Sequence, residues 1–145
     1  METVHKVFEL AITVTEADID QLGHVNNVVY VRWVQEAAMA HWNALASEQE
    51  KERLTWVVIR HEIDYKRAAL LGDRIVARTW VGNADGLAFE RHTEMVRAGD
   101  HHLLAKARTL WCPVHARTLR PMEPGEDVRA RFSASAPRRL APDVF

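Results

Sequence analysis

The sequence predicts an α+β domain in which one long helix packs on an antiparallel β-sheet of five or six strands. Three observations support this prediction. An amphipathic helix pattern occupies the first third of the chain. One alternating strand pattern precedes it, and four such patterns follow it. Short turns separate the four later patterns, so consecutive strands should pair as antiparallel hairpins.

Length and composition indicate one globular domain, residues 1–145. A chain of 145 residues can bury roughly 70% of its unfolded surface. The net charge of -1 gives no reason to expect nucleic acid as a partner. The single cysteine, Cys112, excludes an intramolecular disulfide and fits a reducing compartment. The sequence shows neither a signal peptide nor a membrane-spanning run, so we expect a soluble, cytoplasmic protein that does not enter a membrane.

The strand and helix patterns can be placed along the chain. The helix should begin at Asn26 or Asn27, which are good N-cap residues, and end near Ala46. Strands are expected at 6–15, 54–65, 74–81, 87–96 and 102–114. Residues 127–133 are expected to add an edge strand, and the tail from about 134 should be loosely held.

The faces of the predicted strands follow from simple alternation. In the strand at 54–65 one face carries Val57, Ile59, His61, Ile63 and Tyr65, and the other carries Trp56, Val58, Arg60, Glu62 and Asp64. Trp56, Val58, Val76 and Trp80 should then lie on sheet faces away from the helix. Apolar residues in that position favour further packing between copies of the chain, such as a tetramer built from two dimers.

The segment before the helix concentrates polar residues that suit acyl chemistry. An acid, a glycine, a histidine and two asparagines fall between Asp20 and Asn27. A helix start exposes unpaired backbone N–H groups and the positive end of the helix dipole. A carboxylate beside such a start can act as a general base or as a nucleophile. The segment therefore suits hydrolysis of an acyl group.

The same residues resemble a known family. The pattern Asp-x-x-Gly-His-Val-Asn-Asn-x-x-Tyr-x-x-Trp, from Asp20 to Trp33, is similar to the motif of the 4-hydroxybenzoyl-CoA thioesterase-like hotdog family. The later segments 63–68 and 72–73 resemble that family's next landmark, and the likeness extends from about Phe8 to Trp111. The resemblance implies a hotdog fold, an acyl-CoA thioesterase that needs no cofactor, and assembly as a homodimer or tetramer.

The resemblance also assigns roles to residues. It makes Asp20 the base or nucleophile and the backbone N–H of Asn27 the donor to the thioester carbonyl. His24 either bonds the substrate or holds the loop of Asn27. Residues expected to shape the site or bind substrate are Gly23, Val25, Asn26, His61, Lys66, Arg67 and Arg91. Among these, Lys66, Arg67 and Arg91, together with Arg97, are candidates for the phosphates of coenzyme A, and no metal site is expected because the histidines lack zinc spacing.

Several alternatives stay open at this point. Asp18 is interpreted as a loop or solvent residue, Glu36 as the partner in a buried hydrogen bond, and His61 as a pocket residue or a satisfied core histidine. Plant acyl-carrier-protein thioesterases share the motif but add a cysteine after a Tyr-Arg-Arg-like segment, and residues 65–69 contain none. A carrier-protein thioesterase and a non-catalytic acyl-CoA-binding module are therefore the competing interpretations.

Overall fold

The computed structural model describes residues 7–133. Its elements in chain order are strand β1 (Phe8–Thr13), a 3-10 turn (Glu16–Asp18), helices α1 (Asn27–Leu45) and α2 (Glu48–Arg53), strands β2 (Leu54–Tyr65), β3 (Arg74–Val81), β4 (Phe89–Arg97) and β5 (Leu103–His115), and helix α3 (Glu126–Phe132). The expectation of a loosely held tail from 134 lies outside the described residues.

The five strands form one antiparallel sheet with the order β1-β3-β4-β5-β2. The hairpins β3–β4 and β4–β5 occupy the centre, whereas β1 and β2 are the edge strands. Helix α1 lies across one face of this sheet and contacts β1 and β3. The α+β prediction and the hotdog architecture of one long helix packed on an antiparallel sheet are confirmed.

The buried face of α1 divides the core into two clusters. Its first part, up to Ala37, contributes Val29, Tyr30, Trp33, Val34 and Ala37 to the first cluster, against residues such as Ile75 and Met95 of the sheet. Its C-terminal half contributes Ala38 and Trp42 to the second cluster, with Leu54, Val81, Phe89, Trp111, Val128 and Phe132. The helix therefore has one end beside the polar loop that precedes it and one end that is rich in aromatic residues.

A β-bulge in β2 overturns the predicted division of its faces. The register against β5 shifts between Val58, opposite Trp111, and Arg60, opposite Leu110, so Ile59 is an extra residue. One inserted residue reverses the alternation of every side chain beyond it. Trp56 and Val58 consequently pack against the second core cluster, on the same side of the sheet as Ile63.

The sheet face away from α1 is charged rather than apolar. Ion pairs connect neighbouring strands there, including Arg108–Glu90 at 2.7 Å and Arg78–Glu9 at 3.2 Å. Trp80 lies on this face but is only 1% exposed. The prediction that Trp56 and Val58 lie on this face is wrong, because both pack against the second core cluster. Val76 and Trp80 do lie on it, with Val76 half-buried, and packing of two dimers into a tetramer stays a prediction.

The predicted edge strand at 127–133 is a helix instead. Val128 and Phe132 are four residues apart, which places both on one side of α3, and both are buried in the second cluster. Arg131 ties the helix down by ion pairing with Glu50. Burial of two apolar residues at helical spacing outweighs the weak strand pattern of this segment.

Candidate functional site

The segment from Ile19 to Val25 forms a tight hairpin that carries Asp20. Ile19 and Val25 pair as an antiparallel bridge, and the backbone N–H of Asp20 donates to the carbonyl of His24 at 2.8 Å. The N–H of Gly23 closes the turn on the Asp20 carbonyl at 3.1 Å. Gly23 has a φ of 79°, a left-handed conformation in which other residues are strained. The glycine therefore serves the turn that presents Asp20.

The Asp20 carboxylate has one oxygen held and one oxygen available. Its Oδ1 accepts a hydrogen bond from the backbone N–H of Leu22 at 2.9 Å. Its Oδ2 has no hydrogen-bond partner within residues 7–133. The half-buried side chain lines an open depression together with Ile19, Gln21, Leu22 and Asn26. The held oxygen sets the orientation of the carboxylate, and the available oxygen can receive a proton or attack a carbonyl.

Helix α1 begins beside this depression. Asn26 is the N-cap, and its Oδ1 accepts from the N–H of Val28 at 3.0 Å. The N–H of Val29 donates to the Asn26 carbonyl at 2.9 Å. Among the described residues the N–H of Asn27 has no acceptor, as expected for the first turn of a helix. The capping pattern thus leaves this backbone donor available for a ligand.

Three further contacts fix the helix start in space. The N–H of Asn26 donates to the Asp18 carbonyl at 2.9 Å, and the N–H of Val25 donates to the Ala69 carbonyl at 3.0 Å. The Tyr65 hydroxyl donates to the Asn27 carbonyl at 3.1 Å. The Val25 side chain is 3% exposed and belongs to the core, so it anchors the hairpin.

Asp18 was expected to be a loop or solvent residue; it lies in the turn before α1, but it is buried and does not face solvent. It is 3% exposed and accepts hydrogen bonds from the backbone N–H of Thr15 at 3.0 Å and from Arg32 Nη2 at 2.8 Å. Burial by itself raises the pKa of Asp18, but these hydrogen bonds outweigh burial and hold the pKa below its ordinary value. Asp18 thereby ties the 3-10 turn to α1.

Glu36 also differs from its prediction. Its side chain is 48% exposed and pairs with Arg32 at 3.0 Å, one helical turn away. The buried hydrogen bond predicted for it is wrong. The carboxylate lies on the exposed side of α1 because the buried stripe runs through Ala37 and Ala38 instead.

The two candidate histidines lie in different surroundings. His24 is exposed at the end of the hairpin, and its ring has no hydrogen bond with any residue from 7 to 133. His61 is half-buried on β2, where its Nδ1 lies 3.1 Å from the Thr109 hydroxyl, and burial lowers its pKa. His61 therefore behaves as a hydrogen-bonded interior histidine, whereas His24 is accessible to a ligand.

The candidate phosphate-binding residues differ in how accessible their side chains are to a ligand. The backbone N–H groups of Lys66 and Arg67 both donate to the Leu104 carbonyl, at 2.8 and 3.1 Å, and the Arg67 side chain is exposed. Arg97 pairs with Asp73 at 3.0 Å and with Asp100 at 2.9 Å. Arg91 is 7% exposed and lies inside the protein, so its predicted role as a surface ligand for phosphate is wrong.

A second, narrow cavity lies at the aromatic end of α1. It is lined by Ala38, Met39, Trp42, Trp56, Val81, Phe89, Arg91, Trp111 and Phe132. The sequence did not predict this cavity. A signal was present, because Phe89, Arg91, Thr93 and Met95 alternate on the inward face of β4, and His41 lies on the buried stripe of α1.

The part of the chain that the structure describes contains neither a metal-binding cluster nor a membrane-spanning helix. No three histidine, cysteine, aspartate or glutamate side chains between residues 7 and 133 cluster closely enough to hold a metal ion. Over the same residues, every helix is too short or too polar to cross a bilayer.

Solved structures of thioesterases share this fold. A thioesterase from Thermus thermophilus, solved in complex with coenzyme A and Zn, is 25% identical, with 91% of this chain and 95% of that chain covered and a TM-score of 0.73. A 1,4-dihydroxy-2-naphthoyl-CoA thioesterase from Synechocystis is 20% identical over 86% of this chain and 94% of that chain, with a TM-score of 0.74.

A carrier-protein enzyme has the same fold. The 12:0-ACP thioesterase from Umbellularia californica is 19% identical, with a TM-score of 0.72, and 87% of this chain matches 49% of that chain. No curated protein sequence matches the chain.

A match to a family model shows to which family the sequence belongs. The model of the thioesterase-like superfamily matches residues 14–132, which include the Asp20 hairpin, helix α1 and all strands from β2 to β5. The match covers most of the chain and agrees with the fold and with the motif from Asp20 to Trp33. The chain belongs to the thioesterase-like superfamily and is a thioester hydrolase.

Proposed function

We propose that this protein hydrolyses acyl-CoA thioesters at the depression between Asp20 and the start of α1. The observation that carries the proposal is the pairing of an available carboxylate oxygen with an available backbone donor. Asp20 Oδ2 and the N–H of Asn27 both lack partners among the described residues. Both lie in the short segment in which the hairpin leads directly into the N-cap of α1. A thioester needs an acid or base and a donor to its carbonyl oxygen, and the two groups meet both needs.

Two mechanisms fit this arrangement. In the first, Asp20 accepts a proton from water, the resulting hydroxide adds to the thioester carbon, and the C–S bond breaks to release coenzyme A. In the second, Asp20 adds to the carbonyl itself, coenzyme A leaves as the thiolate, and water hydrolyses the acyl anhydride. In both, the Asn27 N–H stabilises the oxyanion, an interaction worth roughly 3–4 kcal/mol for a single donor.

The choice of coenzyme A as the carrier has two supports. The structures from Thermus thermophilus and Synechocystis are described as a coenzyme A complex and a CoA thioesterase. The exposed Arg67 follows Tyr65, which contacts the helix start, and a cation there suits the nucleotide phosphates. The carrier-protein alternative is favoured by the structural likeness to a 12:0-ACP thioesterase, but residues 65–69 lack the cysteine of the plant enzymes.

We further propose that the chain forms a homodimer through β2. This edge strand has 12 residues and exposes Val57 and Ile59 at 41% and 57%. A long edge strand with apolar side chains invites pairing with a second strand. Antiparallel pairing of two copies of β2 is a two-fold contact that would remove this edge.

Substitution of Asp20 by Asn tests the catalytic proposal. Asn keeps the shape of Asp and the oxygen that accepts from Leu22, but it neither takes a proton nor forms an anhydride. We expect Asp20→Asn to lower kcat on a good acyl-CoA by at least about 10²-fold, the lower range for a general base. Release of free thiol is the measurement, with an unchanged melting transition as the check on folding.

Glu36→Gln is the matched control, since it changes an exposed carboxylate on the adjoining helix. It should retain most of the wild-type kcat. If Asp20→Asn keeps the wild-type rate while Glu36→Gln loses it, the helix carboxylate is the catalytic acid and this proposal is wrong. Tight binding of acyl-CoA without any thiol release by the wild type would favour the non-catalytic binding module.

A further inference from the structure

Tyr65 connects the sheet to the start of α1. It is the last residue of β2, and it pairs with Ala105 of β5. Its hydroxyl donates to the carbonyl of Asn27 at 3.1 Å, across 38 positions of sequence. Asn27 is the first residue of α1, and its N–H is the proposed donor to the thioester carbonyl. The side chain of Tyr65 therefore joins the sheet to the residue that carries this donor.

The core sets the position of the Tyr65 ring. The ring packs edge-on against Tyr30, with 5.2 Å between the two centroids and 83° between the two planes. Tyr30 is 2% exposed, and its own hydroxyl accepts from the backbone N–H of Ala69 at 3.0 Å. Burial raises the pKa of Tyr65, so its hydroxyl keeps its proton at neutral pH and remains a donor. The hydrogen bond to Asn27 thus starts from a ring that is anchored in the core.

The start of a helix depends on contacts of this kind. The first N–H groups of a helix have no partners within it, so the first turn is weakly held and frays. The N–H of Asn27 has no acceptor between residues 7 and 133, and it cannot fix this residue. Tyr65 instead holds the residue by its carbonyl, which leaves the N–H available for a ligand. Position matters here, because a displacement of about 1 Å in an active site can cost about 10²-fold in rate.

We propose that Tyr65 is a positioning residue for thioester hydrolysis, whose hydroxyl holds the start of α1 where the Asn27 N–H meets the oxyanion. This inference rests on the proposed function and deepens it by giving the sheet a part in placing the donor. In this role Tyr65 neither contacts the substrate nor transfers a proton. Loss of its hydroxyl should therefore lower kcat rather than raise KM, since the oxyanion forms only in the transition state.

Tyr65→Phe tests this role, because it removes the hydroxyl and keeps the ring against Tyr30. Release of free thiol from one good acyl-CoA gives kcat and KM. We expect kcat to fall by about three- to tenfold, the range that corresponds to the net contribution of one hydrogen bond. The KM should stay within about twofold of the wild type. An unchanged kcat, or a raised KM at the wild-type kcat, would overturn the inference.

Tyr30→Phe is the matched control. It makes the same chemical change in the neighbouring ring, whose hydroxyl bonds the backbone at Ala69 rather than the helix start. Because Ala69 is buried, its N–H then lacks an acceptor, and the variant should lose at least as much in Tm as Tyr65→Phe. Its kcat should nevertheless stay within about twofold of the wild type. An equal fall of kcat in both variants would show that the loss follows general loosening of the fold, and the positioning role would be rejected.

Amide hydrogen exchange tests the contact without any substrate. The N–H of Val29, in the first turn of α1, donates to the carbonyl of Asn26 at 2.9 Å. We expect its exchange rate to rise by at least about fivefold in Tyr65→Phe, while that of Ala37, farther along the helix, stays within about twofold. If the wild type hydrolyses no acyl-CoA, the proposed function fails, and faster exchange would still support Tyr65 as the anchor of the helix start. Unchanged exchange in an active enzyme would refute the anchor and leave the proposed function intact.

Discussion

Replacing Asp18 with Asn should weaken the fold while leaving the Asp20 carboxylate in place. Asp18 lies two residues before Asp20, but it is buried and holds the 3-10 turn to α1. Its carboxylate accepts from the N–H of Thr15 at 3.0 Å, the hydroxyl of Thr15 at 3.2 Å and Arg32 Nη2 at 2.8 Å. Asn at this position keeps a single acceptor oxygen and no charge.

The size of the effect follows from these contacts. A hydrogen bond to a charged group contributes about 1.5–3 kcal/mol. The Arg32 side chain is 53% exposed, so solvent screens part of its attraction to Asp18. We expect the free energy of unfolding to fall by about 1–2 kcal/mol. For a domain of this size, that corresponds to a Tm lower by roughly 3–8 °C.

The pH dependence of this effect has a definite sign. The pKa of Asp18 is lower in the folded protein than its ordinary value of 3.8. A carboxyl with a depressed folded pKa contributes stability that is fully present above the unfolded pKa and is lost as the pH falls through the folded pKa. The difference in unfolding free energy between wild type and Asp18→Asn should therefore be largest near neutral pH and shrink below about pH 4.

Urea unfolding followed by tryptophan fluorescence, at neutral pH and at about pH 3.5, measures both expectations. Glu36→Gln is the matched control, because it removes the other carboxylate that pairs with Arg32 but at an exposed site, where we expect less than about 0.5 kcal/mol. Equal stability of the two variants at neutral pH, or a difference that widens in acid, would refute the assignment of Asp18 as a buried anchor.

Two other predictions concern ligand charge and assembly. Arg67→Ala should raise the KM for acyl-CoA and weaken its dependence on salt, with little change in kcat, because the exposed guanidinium is a candidate partner for the nucleotide phosphates. An acyl-pantetheine without the nucleotide is the control, and an equal salt response of both substrates would assign Arg67 to the solvated surface. Ile59→Asp changes a residue that is 57% exposed on the edge strand. Because charge on an edge opposes strand pairing, the variant should be a monomer and the wild type a dimer when both are measured by light scattering at micromolar concentration. A wild type that is already monomeric would contradict the β2 dimer.

The sequence by itself was sufficient for the fold class and for the turn-rich segment that ends in a helix cap at Asn26. The hairpin that presents Asp20 and the cap that begins α1 are made by bonds between residues two to four positions apart, such as Gly23 to Asp20 and Val28 to Asn26. Local hydrogen bonding of this kind depends on residue type and spacing, which a sequence displays directly. The catalytic roles assigned there stay predictions until Asp20→Asn is measured.

Only the tertiary structure decided the features that join distant parts of the chain. Asp18 is buried because Arg32, 14 positions later, reaches it from α1. The bulge at Ile59 turns Trp56 and Val58 toward the helix, because it is set by pairing with β5 about 50 residues away. Arg91 meets His41 across 50 positions. Alternation along one strand shows that a side chain points inward, but what it meets there depends on how the helix and the sheet pack together.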